Sequence, residues 1–276
     1  MRRMFLAAGL VMITACGGME QSAVGTVVFT ANGEEFVRNG FTSEDGWAIQ
    51  FDAVYVNVYG PTAYQVVEAE QPLTLAGLRH GGHPHENIPE GSAHVALTGD
   101  YFLQLKQPVF EVGRVEDAPI GNYNRLAFTV RPATAESEGI VDGFDGVSLA
   151  FVGTAEKEGR TIQFDIRFDE QMAYYDCGPN GDAGVLAEGG EATAEMTFHV
   201  DHVFGDVDAG PPDTTDETSV NFMAVGFEPF AALAQGDNLV IDQQQLGQVM
   251  NGATYLQLID AVRTMGHSGE AHCHLD

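Results

Sequence analysis

Residues 46–59 read Gly46-Trp-Ala-Ile-Gln-Phe-Asp-Ala-Val-Tyr-Val-Asn-Val-Tyr59. Trp47, Ile49 and Phe51 share one parity, and Val54, Val56 and Val58 share the other. Alternation with period two marks a strand, because successive side chains leave opposite faces of a pleated backbone. A switch of parity within the run predicts a β-bulge or a strand buried on both faces. Gly60-Pro61 is read as its end, and Tyr64 to Glu68 as a short strand beyond it.

Working outward, the same signals recur at short spacing. Val24–Phe29, His94–Leu105, Val109–Val115, Gly121–Val130, Val147–Thr154, Thr161–Phe168 and Ala192–Phe204 all read as strands. Asn32–Asp45 is turn-rich, and Ala155-Glu-Lys-Glu-Gly159 is a hairpin connection with glycine near its end. Eight or more strands with no helical segment between them predict a mainly β fold: an antiparallel β-sandwich over 26–206, with a barrel as the second choice. About 180 residues suffice for one sizeable core. Residues 207–220 are acidic and proline-bearing, as a linker is. Beyond it, 221–276 carries helical spacing. Pro229–Ala234 suits a short helix, Ile241, Leu246 and Val249 a second with Asp242 near its start, and Thr254–Met265 a third.

The 276 residues include 40 acidic and 12 basic side chains, a formal charge of −28. That balance argues against nucleic acid as a partner, whose binding rests on neutralising phosphates with Lys and Arg. An acidic field also concentrates cations around a protein. A solvated, salt-adapted surface accounts for the charge equally well.

Met1-Arg-Arg-Met4 is a basic n-region and Phe5–Ile13 a short apolar one, too short to span a bilayer. Ile13-Thr14-Ala15-Cys16-Gly17-Gly18 resembles a bacterial lipobox. The resemblance implies a signal peptide over 1–15, a lipidated Cys16 with a tether over 16–25, and a cell-envelope location with membrane anchoring. Cys177 and Cys273 then form an even pair outside the cytoplasm, which reads first as a disulfide and second as two thiolate ligands.

The nine histidines fall in groups. His80, His83, His85 and His94 lie in a glycine- and proline-rich loop with Glu86 and Glu90. His199, Asp201 and His202 sit together, with Asp206 just beyond. His267, His272 and His274 surround Cys273. Imidazole is the commonest metal-binding side chain, and Zn²⁺ and Cu²⁺ both accept it. If 192–204 is one continuous strand, His199 and Asp201 share a face and His202 joins the apolar set. That reading makes His202 a buried, hydrogen-bonded histidine more readily than a ligand. Gln235–Leu246 imitates a calcium loop but lacks the acidic oxygens such a loop needs. No Gly-x-Ser-x-Gly elbow, phosphate loop or His-Glu-x-x-His occurs, so the chain is not read as an enzyme.

Gly46–Tyr59, together with Asp117-Ala-Pro-Ile-Gly-Asn-Tyr-Asn-Arg-Leu-Ala-Phe-Thr-Val130, resembles β-sandwich lipoproteins related to periplasmic copper-binding MbnP-like proteins. The resemblance covers about a third of the chain and maps no ligands onto it. It implies transition-metal binding in the envelope. The expectation is therefore a lipoprotein that binds a Zn or Cu ion for storage, delivery or uptake, with a metal transporter or receptor as its partner. The alternatives are a structural or adhesive surface lipoprotein with incidental histidines, and a metal-dependent hydrolase.

Overall fold

A computed structural model of the chain describes residues 23–67, 88–89, 91–178, 181–210, 220–269 and 271–275. The lipobox, Cys16 and the histidines at 80, 83 and 85 lie outside these residues. Among the described residues, seventeen strands follow in order. They are β1 Val24–Asn32, β2 Phe41–Thr42, β3 Ala48–Gln65, β4 Ala93–Ala96, β5 Asp100–Gln104 and β6 Phe110–Pro119. Next come β7 Gly121–Asn122, β8 Arg125–Val130, β9 Leu149–Lys157, β10 Arg160–Phe168, β11 Met172–Cys177 and β12 Val185–Leu186. The last are β13 Glu191–Phe198, β14 Asn238–Asp242, β15 Gly266–Ser268, β16 Ala271–His272 and β17 His274–Leu275. The helices are α1 Glu34–Asn39, α2 Asp201–Phe204, α3 Glu228–Ala231, α4 Gln243–Val249 and α5 Gly252–Arg263.

The chain is mainly β. One sheet runs β16-β15-β13-β1-β6, and a larger one runs β14-β10-β9-β3-β8-β11-β17, with β2, β4 and β5 also paired to β3. The two sheets contribute to one continuous hydrophobic cluster. Phe128 of the larger sheet meets Phe198 of the smaller edge-to-face at 5.8 Å. Pairing is not all antiparallel, which corrects the expectation: β1 runs parallel to β13, and β10 parallel to β14. Alternation of side chains reports burial, not direction. Long connections leave a strand free to join either way, whereas a tight hairpin does not.

β3 is the hub. Its pairing with β9 slips between Phe51 and Ala53, so the parity switch is a bulge at Asp52. Ile49, Phe51, Ala53, Val54, Val56 and Val58 are all buried. Gly60-Pro61 does not end it. Gly60 takes φ +58°, the strand bends, and pairing resumes one step out of register. The hairpin between β9 and β10 is a two-residue turn, Glu158 and Gly159, both at positive φ as the twist of paired strands requires.

Two further corrections bear on the site. Residues 34–39, read as turn, form the helical turn α1. The run 192–204 is not one strand. β13 stops at Phe198, and the chain enters α2 at Asp201. Phe204 anchors α2 in the core, its ring 5.3 Å from Phe151, 5.8 Å from Phe230 and 6.1 Å from Phe51. The C-terminal part is interwoven with the body: β14 joins the larger sheet, β15 and β16 extend the smaller, and β17 pairs with β11. Cys177 and Cys273 form the disulfide, 96 positions apart, at this junction. Gly266 is needed there, because a Cβ would lie 2.5 Å from the Tyr174 ring packed on its backbone.

Candidate metal centre

Because the strand ends at Phe198, the alternation that separated His199 from His202 is lost. Turning the backbone into α2 brings their rings to 5.6 Å. The hairpin β15–β16 supplies two more imidazoles, since His267 pairs with Thr197 on one side and with His272 on the other. His267 stacks on His199 at 4.0 Å and lies 5.0 Å from His202 and 4.3 Å from His272. His202 and His272 are 5.9 Å apart. Four imidazoles from two distant segments thus form one group.

The local architecture fixes each member. The backbone N–H of His199 donates to the Met265 carbonyl at 3.0 Å, tying α2's approach to the end of α5. α5 is held by buried Leu258, Ile259, Ala261 and Val262. At its C-cap the Thr264 hydroxyl donates to the Ala261 carbonyl at 2.9 Å, satisfying a helix-end acceptor. Oγ1 also lies 3.0 Å from Nδ1 of His202. Nδ1 of His199 faces two carboxylates, Oε2 of Glu34 at 3.4 Å and Oδ1 of Asp201 at 3.9 Å.

What distinguishes the group is unmet polarity. His267 is 2% exposed, and neither of its ring nitrogens finds a hydrogen-bond partner. Nε2 of His199 and Oδ1 of Asp201 are likewise buried without one, in residues 8% and 3% exposed. Orphaned buried polar atoms are few in folded proteins and each costs about 1–3 kcal/mol. Burial drives His202, His267 and His272 toward neutrality. Desolvation first, then the neighbouring His199 and His272, depress His202 to about 3. Desolvation and the three other imidazoles depress His267 to about 2, against a weak opposing pull from the Thr264 carbonyl. His272 is lowered by desolvation and by His199. Asp201 is pushed up by desolvation, with His199 opposing. Neutral imidazoles with free lone pairs are what a metal ion requires of its ligands.

Among the described residues, no three His, Cys, Asp or Glu side chains stand ready to hold an ion as they are. The stack explains this. Lone pairs lie in the ring planes, and the His199 and His267 planes differ by only 27°. One ring must turn before both nitrogens reach a common centre. A cleft of about 470 Å³, lined by Asn32, Glu34, Glu35, Phe36, Arg38 and Asn39, adjoins the group through Glu34. No protein-family model, curated protein or solved structure matches the chain.

The other sequence-predicted residues go elsewhere. His94 lies exposed on β4, 5.4 Å from the Tyr64 ring, with Nδ1 3.1 Å from the Ser92 carbonyl. His274 packs 5.8 Å from Tyr175, with Nε2 3.8 Å from Asp176 Oδ2. Asp206 caps the short turn that follows α2 through Asp208 N–H. Cys177 and Cys273 are bonded to each other, which leaves the group with nitrogen and oxygen donors. Glu34 and Thr264 are participants that sequence reading missed. Neither carries a pattern, and Glu34 reaches His199 only because β1 and β13 are neighbours.

Proposed function

We propose that the chain is an envelope lipoprotein, anchored through Cys16, that binds one transition-metal ion, Zn²⁺ or Cu²⁺, at His199, His202, His267 and His272. We take its two sheets as the layers of a β-sandwich carrying the site at one end. The observation that supports this reading is the buried, unpartnered state of both ring nitrogens of His267 and of Nε2 of His199. An ion gives those lone pairs the partner they lack, and imidazole suits Zn and Cu. Asp201 adds a carboxylate. The acidic surface and the cleft beside Glu34 favour cation entry. Storage or delivery follows better than hydrolysis, since four imidazoles can fill a tetrahedral ion and leave no position open for water.

The stacked geometry favours one rival: a structural imidazole cluster that never meets metal. The test is metal content by mass spectrometry of the exported, untagged protein, followed by titration with Zn²⁺ and Cu²⁺. About one ion per chain, lost in His202→Ala, supports the site. A chain that holds neither ion and takes up neither at micromolar levels leaves the structural cluster as the reading.

A further inference from the structure

Both α2-side histidines have their Nδ1 atoms engaged by residues that belong to no histidine group. Glu34 lies at the start of α1 with φ +60°, a left-handed conformation rare for a side chain of its kind. It is held there from two sides. Asn32 Oδ1 accepts from Glu34 N–H at 2.8 Å, and Asn32 Nδ2 donates to Glu195 Oε1 on neighbouring β13 at 2.7 Å. Gly33, between them, is buried against Val37 and Leu105. This bracing sets the Glu34 carboxylate 3.4 Å from His199 Nδ1. Backbone strain maintained by surrounding structure is a recurrent mark of functional positions. On the other side, the Thr264 hydroxyl faces both the Ala261 carbonyl at 2.9 Å and His202 Nδ1 at 3.0 Å, and with its proton on the carbonyl it accepts from Nδ1–H.

We infer that Glu34 and Thr264 are positioning residues that hold His199 and His202 in the Nδ1–H tautomer, so that both offer Nε2 to the ion. The inference rests on the metal-binding reading above. Nε2 of His199 is the atom left buried and unpartnered, as this assignment requires. Carboxylate and hydroxyl partners of this kind orient a ligating imidazole and raise its basicity. They also fix its tautomer before metal arrives. The ring that turns on loading is then His267, which has no such partner on either nitrogen.

The decisive experiment is ¹⁵N imidazole NMR on the metal-free protein. Wild type is expected to show His199 and His202 as Nδ1–H tautomers, with Glu34→Ala mixing the His199 tautomers and Thr264→Val those of His202. Zn²⁺ competition titrations on the same samples should show a loss of about 10–100-fold in affinity for each variant. Glu34→Asp and Thr264→Ser should recover most of that loss, while circular dichroism checks that every variant is folded. If the tautomers ignore both substitutions, the positioning role is refuted, whatever the affinities. If the tautomers respond but wild type binds no ion, the metal reading alone fails.

Discussion

Replacing His267 with leucine separates a metal ligand from a structural histidine. His267 is 2% exposed, with both ring nitrogens unpartnered. Each orphaned polar atom costs about 1–3 kcal/mol, and an apolar side chain of similar size does not carry that cost. Against this stands the stack on His199 at 4.0 Å, a kind of contact worth about 0.5–1.5 kcal/mol. Imperfect fit adds a further penalty of about 1 kcal/mol. The net expectation is a metal-free His267→Leu protein more stable by roughly 1–2 kcal/mol. At about 2–4 °C per kcal/mol for a chain of this size, Tm should rise by about 2–8 °C. Zn²⁺ should reverse the order. Wild type gains about 2.7 kcal/mol at a free ion concentration one hundred times Kd, and the variant gains little. Thermal unfolding with a chelator and then with Zn²⁺ reads both effects. A variant less stable than wild type by more than about 1 kcal/mol without metal would refute the reasoning. The imidazole would then be satisfied by its surroundings.

Acid should weaken the fold in a defined window. His202 and His267 are held far below the ordinary histidine value of 6.5, so below that pH the unfolded chain binds protons that the folded chain refuses. Stability is complete above about pH 6.5 and falls as pH drops toward 3, by roughly 2 kcal/mol per group at pH 5. Urea midpoints at pH 7.5 and 5.0 should show the loss, with His267→Leu about half as sensitive; equal sensitivity would contradict the assignment. Replacing Cys177 and Cys273 with serine opens a loop of 96 positions and should lower stability by about 2–4 kcal/mol. Because His272 adjoins Cys273, ion affinity should fall as well. An affinity unchanged in the folded variant would remove His272 from the ligand set.

The parts of this molecule written into local periodicity were legible beforehand. The parity switch between Phe51 and Val54 announced a bulge or a strand buried on both faces, and the bulge falls at Asp52; Ala155–Gly159 announced the β9–β10 hairpin, whose strands run on to leave only Glu158 and Gly159 as the turn. The disulfide follows from an even pair of cysteines. Strand direction was not legible, since β1 meets β13 across more than 150 residues and nothing in either records the orientation. The histidine groups at 199–202 and 267–272 were visible as composition, but their convergence depends on where β13 stops. Phe198-His-Val-Asp-His-Val-Phe204 is apolar enough to continue as a strand. Val200, Val203 and Phe204 are instead buried at the i, i+3, i+4 spacing of one helical face. His94 and His274 looked equivalent to their neighbours in sequence and are not, because strand pairing sends them against Tyr64 and Tyr175.

The interweaving of the C-terminal strands with both sheets makes the contacts around the imidazoles distant in sequence. Asn32 reaches Glu195 across 163 positions, and in the smaller sheet β15 and β16 lie beside β13, which lies beside β1. Contacts so distant in sequence form slowly, because the entropy of closing long loops is lost before the contacts repay it. In small zinc domains the ion itself drives folding. Here the imidazoles meet only once nearly the whole chain is in place. On the metal-binding reading proposed above, the ion would then be cargo for a finished protein rather than a template for an unfinished one.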